Sequence, residues 1–105
     1  MEELEITVRE LKRQLDIGTR IEIIDVREPY EYEYCHIDGS KSIPLRQVHV
    51  SDFNLNQEYA FICHVGERSG WLVSMLRQQG FKKARSVRGG IDAWALEIDP
   101  SLPRY

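Results

Sequence analysis

The sequence predicts an α/β fold in which a mainly parallel central sheet carries helices on both faces. Two short segments, residues 21–26 and 59–63, are largely apolar, which is typical of strands that are buried on both faces. Segments with apolar residues at helical spacing alternate with these strands along the chain. Because parallel neighbours need right-handed crossover connections, this alternation indicates a parallel sheet covered by helices.

The first helix is predicted to begin after Thr7, which forms a capping-box pattern with Glu10. Gly18 is expected to end it. Apolar residues recur at helical spacing along this segment: Leu4, Val8, Leu11 and Leu15.

The stretch between the two clear strands is predicted to hold only short elements. Pro29 opens a turn or short helix that runs through Tyr34, because proline is tolerated at the first helical position. Residues 36–45 contain glycine and proline and indicate a loop, with a brief extended piece at residues 42–43. Residues 46–54 are interpreted as a short helix.

The second half of the chain repeats the alternation of strand and helix. Residues 69–79 are predicted to be a helix that Gly80 ends, and residues 84–87 a short strand. A last helix is expected over residues 91–96, followed by a non-helical tail with two prolines. The packing side of the helix over 69–79 is predicted from apolar spacing: Trp71, Leu72, Met75 and Leu76.

Size and composition predict one domain without a membrane segment or a disulfide framework. The 105 residues are 42% hydrophobic and 30% charged, which suits a single folded domain over residues 1–105. No apolar run reaches the roughly 18 residues of a membrane span, and the start Met1-Glu2-Glu3 lacks the basic residues of a secretory signal. Two cysteines are too few for a disulfide framework. We therefore expect a cytoplasmic protein with free thiols and no membrane partner.

The net charge of −3 is unevenly distributed along the chain. Residues 1–62 carry a net charge of −6, whereas residues 63–90 carry +5. An acidic chain of this kind is not expected to bind nucleic acid. The basic segment, which begins at Cys63, is either a solvated helix face or a local positive field that favours a thiolate and an anionic substrate.

Cys63 lies where open parallel sheets bind their ligands, at the carboxyl end of a strand. The residues that follow leave room only for a tight loop before the next helix begins at Ser69. Such a loop directs backbone N–H groups inward beside the positive end of a helix, and Gly66 supplies the backbone freedom that it needs. Arg68 and Ser69 can brace the loop or bind an anion. The pattern therefore indicates a reactive thiol, whereas the alternative is an inert core cysteine.

The stretch Cys63-His64-Val65-Gly66-Glu67-Arg68-Ser69 is the first of three motifs that carry a family resemblance. It resembles the active-site loop of rhodanese-like, single-domain sulfurtransferases. Residues 24–28 with 36–40 and 43–45 are similar to its amino-terminal signature, and residues 87–94 to its carboxyl-terminal one. Residues 93–105 further resemble the rhodanese domain that is fused to adenylyltransferases activating ubiquitin-like sulfur carriers.

The resemblance implies a rhodanese-like fold with a sheet of about five strands and a sulfur-transfer activity that needs no cofactor or metal. Cys63 would take one sulfur from a small anionic donor, thiosulfate or a persulfide, and pass it to a thiol or protein acceptor. The resemblance assigns the binding of substrate and persulfide to the loop and a supporting role to three further residues. The loop residues are His64, Val65, Gly66, Glu67, Arg68 and Ser69, and the supporting residues are Asp25, Arg27 and His36.

Two other functions stay open. A catalytically silent rhodanese-like module for binding or regulation is the alternative, because Glu67 opposes a thiolate in the loop and Cys35 stands where the family usually has glycine. An enzyme acting on phosphate or arsenate is disfavoured, because the related phosphatases and arsenate reductases use the longer spacing Cys-x5-Arg. Here Arg68 follows Cys63 at the spacing Cys-x4-Arg.

The roles of the supporting residues also have alternatives. Asp25 either hydrogen-bonds the active loop or its neighbours, or forms a structural ion pair with a neighbouring arginine. The ion pair is equally open as the role of Arg27. Cys35 is either a partly buried bystander or a second thiol that resolves the Cys63 persulfide or forms a reversible disulfide with Cys63.

Overall fold

The central sheet has five parallel strands in the order β1-β5-β4-β2-β3. It is seen in a computed structural model that describes residues 4–105, so residues 1–3 of the predicted domain lie outside the described part. The strands are β1 (Glu5–Ile6), β2 (Ile21–Asp25), β3 (Lys41–Ser42), β4 (Glu58–Ile62) and β5 (Ala84–Val87). The predicted α/β fold with a parallel sheet is confirmed.

Three α-helices and two short 3₁₀ turns connect the strands within residues 4–105, and a fourth helix follows β5. The helices are α1 (Val8–Asp16), α2 (Pro29–Tyr34), α3 (Glu67–Gln78) and α4 (Gly90–Glu97). None of the helices in this described part combines the length and the hydropathy of a membrane span.

The sheet separates two apolar cores, because successive side chains of a strand point to opposite faces. In β4, Ala60 and Ile62 pack with residues of α1 and α4, whereas Tyr59 and Phe61 pack with residues of α3. The first core is called the α1/α4 core below and the second the α3 core. Helices therefore cover both faces, as the sequence predicts.

The start of the chain differs from the prediction. Leu4 does not belong to the first helix: it precedes β1, which pairs with β5 through Glu5↔Ser86 and Ile6↔Val87. A strand of two residues has too little periodicity to be visible in the sequence, and only its distant partner defines it. The predicted N-cap is present, since Thr7 Oγ1 accepts a hydrogen bond of 3.1 Å from the N–H of Glu10.

The predicted packing side of α3 is partly wrong. Trp71 is 62% exposed, and the buried face consists of Ser69, Leu72, Val73 and Leu76. Ser69 and Val73 complete a face with the spacing of successive helical turns, and this face turns Trp71 toward solvent. The small polar residue Ser69 thus belongs to the buried face, whereas Trp71, which hydrophobicity alone assigned to that face, does not.

The stretch over residues 46–54 forms 3₁₀ turns at Leu45–Gln47 and Val50–Asp52 instead of the predicted short helix. Phe53 anchors this stretch on the α3 core through edge-on contacts with the rings of Tyr59, Phe61 and Phe81. The brief extended piece expected at residues 42–43 is strand β3, one residue earlier.

Candidate active site

Cys63 directly follows β4, and its side chain is 1% exposed. The neighbouring strand β2 ends at the same level, because Asp25 is in register with Ile62. The chain then turns into α3 through Gly66, whose φ of 107° lies in the left-handed region that favours glycine. Sheet edge, loop and helix N-terminus therefore converge on the thiol.

Hydrogen-bond donors surround the sulfur of Cys63. The N–H groups of Gly66 and Ser69 donate to Sγ at 3.1 and 3.4 Å, and the Ser69 hydroxyl lies 3.4 Å from it. Ser69 Oγ is also 2.7 Å from the hydroxyl of Ser86 on β5. The side chains of Ser86, Ser69 and Cys63 therefore form one continuous hydrogen-bonded series. The arrangement suits a negatively charged sulfur, since these groups and the N-terminus of α3 all present positive partial charge.

The beginning of α4 fixes the backbone of the loop from the other side. The N–H groups of Ile91 and Asp92 donate to the carbonyl oxygens of Cys63 and His64, at 2.9 and 3.1 Å. Gly90 makes this approach possible, because a Cβ atom there would overlap both carbonyl groups. The motif at residues 87–94 thus positions the active loop.

Arg68 forms a two-pronged ion pair with Glu31 on α2. Its Nη1 and Nη2 atoms lie 2.8 and 3.2 Å from the two carboxylate oxygens. The Arg68 side chain is 36% exposed and that of Glu31 only 7%. The hydrogen bond from Arg68 is the main cause that lowers the pKa of Glu31 to about 2. The positive charge of the loop arginine is therefore balanced by a buried carboxylate.

Asp25 and Arg27 form a fully buried ion pair. Arg27 Nη2 and Nε lie 2.7 and 2.9 Å from the two oxygens of Asp25, and Nη2 also donates to the carbonyl oxygen of Cys35 at 2.7 Å. Burial is the largest single influence on Arg27 and opposes its charge, but the hydrogen bonds and charge interactions with Asp25 and Tyr105 together outweigh it and raise the pKa of Arg27. Of the two interpretations left by the sequence, the structure contains the ion pair.

Tyr105 joins these two ion pairs. Its hydroxyl accepts a hydrogen bond of 2.9 Å from Arg27 Nη1 and donates one of 2.7 Å to Glu31 Oε2. Its ring stacks on that of His64, with the centroids 4.0 Å apart and the planes at 5°. Burial is the main cause that raises the pKa of Tyr105 to about 12, so the hydroxyl stays a donor at neutral pH. Asp25, Arg27, Tyr105, Glu31 and Arg68 are called the ionic chain below.

The remaining loop residues lie toward solvent. Val65 and Glu67 are exposed, and His64 is half-buried beneath the Tyr105 ring. The carboxylate of Glu67 therefore lies in water instead of against the sulfur.

His36 is placed away from the loop. Its Nδ1 is 2.7 Å from the carbonyl oxygen of Tyr32, and its ring stacks on the Tyr32 ring. It lines a groove on the side of α1 and α4, together with Trp94 and Leu102.

The basic segment of the sequence does not form a cluster around Cys63. Lys82 and Lys83 precede β5 and therefore lie at the amino ends of the strands, whereas Cys63 lies at the carboxyl ends. Arg85 and Arg88 are paired with glutamates, at 3.6 and 2.9 Å. Of the two interpretations of this segment, the solvated surface therefore fits most of its charges.

The two cysteines are free and buried, but they belong to different cores. Cys35 packs in the α1/α4 core and Cys63 in the α3 core. The sheet thus separates the two cores, and the geometry does not bring the two thiols together as a disulfide requires.

Three residues of the site were not found from the sequence: Ser86, Glu31 and Tyr105. Each reaches the site from a segment far from the loop, and short-range spacing does not encode such a contact. Within residues 4–105, no group of three or more His, Cys, Asp or Glu side chains could hold a metal ion.

Comparison with known proteins identifies related chains. The family model described as a rhodanese-like domain matches residues 7–97. The probable adenylyltransferase/sulfurtransferase MoeZ of Mycobacterium tuberculosis is 36% identical over 104 residues, which cover 95% of this chain and 26% of that protein. The putative sulfur carrier protein YrkF of Bacillus subtilis is 39% identical over 92 residues, covering 86% of this chain and 50% of YrkF.

A crystal structure of a rhodanese-like domain protein from Staphylococcus aureus matches with a TM-score of 0.80. It is 33% identical, and the match covers 96% of this chain and 97% of that one. The chain spans half or less of the length of the two curated relatives named above.

Proposed function

Because the chain belongs to the rhodanese-like domain family, we propose that it is a sulfurtransferase that carries sulfane sulfur as a persulfide on Cys63. Its relatives include proteins named for sulfur transfer and for sulfur carriage. The observation that carries the proposal is the set of donors from Gly66 and Ser69 that point at the Cys63 sulfur. A thiol that served only to fill the core would not need them.

The reaction proceeds as two displacements at sulfur. In the first, the Cys63 thiolate attacks the outer sulfur of a donor such as thiosulfate, the S–S bond of the donor breaks, and sulfite leaves with the electron pair. In the second, an acceptor thiolate attacks the terminal sulfur of the persulfide, and the Cys63 thiolate leaves. Neither step requires an external oxidant, reductant or cofactor.

The residues around Cys63 stabilise negative charge on sulfur during both steps. The N–H groups of Gly66 and Ser69 are fixed by the loop and by α3, so they need no rearrangement as charge develops. Arg68 directs two of its five N–H groups to Glu31, and its partly exposed guanidinium offers the others to an anionic donor. Asp25 and Arg27 support the carboxyl end of β2 beside the loop.

The proposed partners follow from this chemistry. The donor is a small sulfur anion, and the acceptor is a thiol or a protein that presents a nucleophilic group. Two free thiols suit a reducing compartment, and we propose the cytoplasm.

A catalytically silent module for binding or regulation is the second candidate. The 1% exposure of Cys63 favours it, because an attacking group has no direct access to a fully covered sulfur. The neutralisation of Arg68 by Glu31 points in the same direction, since it weakens the attraction for an anionic donor.

Mass spectrometry of the intact protein after incubation with thiosulfate distinguishes the two candidates. We expect Cys63 to gain the mass of one sulfur atom and to lose it again on addition of cyanide or dithiothreitol. Cys35→Ser is the matched control and should load sulfur normally, whereas Cys63→Ser should not load. The absence of any adduct with thiosulfate, a polysulfide or a cysteine persulfide would exclude the sulfurtransferase in favour of the silent module.

A further inference from the structure

Residues 99–105 run from the end of α4 to the active loop without helix or strand, and they are called the strap below. Leu102 packs against the α1/α4 core. Arg104 pairs with Asp92, whose backbone N–H holds the carbonyl oxygen of His64. Tyr105, in the same segment, contacts the loop at His64.

Tyr105 contacts three separate parts of the site. Its ring covers one face of His64, and its hydroxyl bonds both to Glu31, which holds Arg68, and to Arg27. The side chain therefore lies above the carboxyl ends of β2 and β4, on the side from which a ligand approaches an open parallel sheet.

Access to Cys63 requires an element of the site to move, because the residue is 1% exposed. The loop and the start of α4 are joined by backbone hydrogen bonds from Ile91 and Asp92, and the loop N–H groups are bound to the sulfur itself. The strap is held at its end by side-chain contacts, including the half-exposed pair of Arg104 with Asp92. Segments held in this way open more readily than regular elements do.

Building on the proposed function, we propose that Tyr105 is a specificity-determining residue that closes the Cys63 loop. A sulfur donor or acceptor reaches the sulfur after Tyr105 has left its place between His64 and Glu31. When Tyr105 leaves, the ring of His64 becomes exposed. Arg27 Nη1 and Glu31 Oε2 each lose the hydrogen bond that they make to the Tyr105 hydroxyl. A bulky partner needs the strap fully displaced, whereas a small donor needs a smaller opening, so the strap discriminates by size.

The test is the rate at which Cys63 is alkylated by two reagents with the same reactive group, iodoacetamide and iodoacetamidofluorescein. Peptide mass spectrometry separates labelling of Cys63 from that of Cys35. We expect Tyr105→Ala to raise the rate with the fluorescein reagent by about tenfold, and the rate with iodoacetamide by a smaller factor. Tyr105→Phe keeps the ring on His64 but loses both hydrogen bonds, so its rates should lie between those of Tyr105→Ala and the unaltered protein.

Tyr30→Ala is the matched control, because Tyr30 is 73% exposed on α2, next to Glu31. Its labelling rates should equal those of the unaltered protein. The proposal is overturned if Tyr105→Ala labels no faster than the unaltered protein, if Tyr30→Ala speeds labelling equally, or if both reagents gain by the same factor. Should Tyr105→Ala fail to fold, as a thermal melt would show, Tyr105→Phe decides by the same criteria. Alkylation does not depend on sulfur transfer, so the two proposals can fail separately. If the protein never loads sulfur but is alkylated as expected, the proposed function is rejected and the role of Tyr105 is upheld.

Discussion

The surroundings of the two buried thiols differ in the direction of their hydrogen bonds. The sulfur of Cys63 receives N–H groups from Gly66 and Ser69. The sulfur of Cys35 faces an acceptor, the carbonyl oxygen of Pro103, at 3.8 Å. Donors stabilise a negatively charged sulfur, whereas a carbonyl oxygen stabilises the protonated thiol. Burial alone therefore does not distinguish a nucleophile from a core residue, but the polarity of its neighbours does.

The two regions also differ in how tightly their backbones are held. The carbonyl groups of Cys63 and His64 are both bound by the start of α4, which approaches closely enough to require Gly90. The carbonyl group of Cys35 is instead bound by a side chain, Arg27. A rigid backbone keeps the donors of the Cys63 loop aligned with the sulfur, which is what preorganisation of a charged intermediate needs.

The largest effect is expected for Gly90→Ala. This substitution disrupts the close approach of α4 to the carbonyl groups of Cys63 and His64, which has no counterpart at the carbonyl group of Cys35. The new Cβ would overlap the carbonyl groups of Cys63 and His64, at a residue whose φ is 61°. We expect the free energy of unfolding to fall by about 3 kcal/mol or more, because steric overlap adds to backbone strain. Chemical denaturation measures it.

Gly70→Ala is the control for that substitution. Gly70 lies within α3, and a Cβ there would meet no atom within 4 Å. It should stabilise the protein by up to about 1 kcal/mol, since alanine is the better helix former. Equal losses for the two variants would refute the close-contact role of Gly90.

An intermediate effect is expected for Glu31→Gln, which breaks the ionic chain beside Cys63. Arg68 keeps its charge but loses its carboxylate partner, so we expect the free energy of unfolding to fall by about 2 kcal/mol at pH 7. This loss is smaller than that for a fully buried ion pair, because Arg68 is partly hydrated. Denaturation at several pH values measures it, with Glu33→Gln as control, because Glu33 is exposed on the same helix.

The pH dependence of that loss has a defined sign. The pKa of Glu31 is lowered to about 2 in the folded protein, so its carboxylate binds protons less readily than in the unfolded chain. The stability it contributes is complete above the ordinary pKa of a glutamate and is lost as the pH falls toward 2. The difference between the unaltered protein and Glu31→Gln should therefore be constant from pH 7 to about pH 5 and shrink below it. A difference that is independent of pH from 7 to 3 would contradict the ion pair.

The parts of the molecule that the sequence predicts are those that local patterns encode. The apolar strands before Asp25 and Cys63 and the glycine-containing turn at Gly66 are visible within a few residues of sequence. The two-residue strand β1 is not, because it exists only through its pairing with β5. Trp71 shows a related limit, since a large apolar residue within a helical pattern lies outside the core face.

The site shows the same division. The loop from Cys63 to Ser69 follows from contiguous residues, whereas Glu31 meets Arg68 across 37 positions and Tyr105 meets Glu31 across 74. Single-sequence patterns do not determine which distant side chains converge at the sheet edge. The basic charges of residues 63–90 illustrate the converse, since they fall in one segment of the sequence and are dispersed in space.

The smallest effect is expected for Ser86→Ala, which changes only the donor set of Cys63. The Ser86 hydroxyl lies 2.7 Å from Ser69 Oγ, and Ser69 Oγ is 3.4 Å from the sulfur. Without Ser86, the Ser69 hydroxyl is free to turn away from the sulfur, so the sulfur loses part of its stabilisation. One hydrogen bond of about 1 kcal/mol corresponds to a rate of sulfur loading from thiosulfate that is about fivefold lower.

Ser74→Ala is the control for that rate, because Ser74 lies exposed on α3 and should have no effect on it. The Cys35 thiol provides an internal comparison: alkylation of Cys35 in Ser86→Ala should match that of the unaltered protein, since Ser86 lies on the other face of the sheet. If the loading rate in Ser86→Ala is unchanged, the Ser69 hydroxyl does not depend on Ser86 for its orientation. The donors to sulfur would then reduce to the backbone N–H groups of Gly66 and Ser69, and the contrast between the two thiols would rest on the backbone alone.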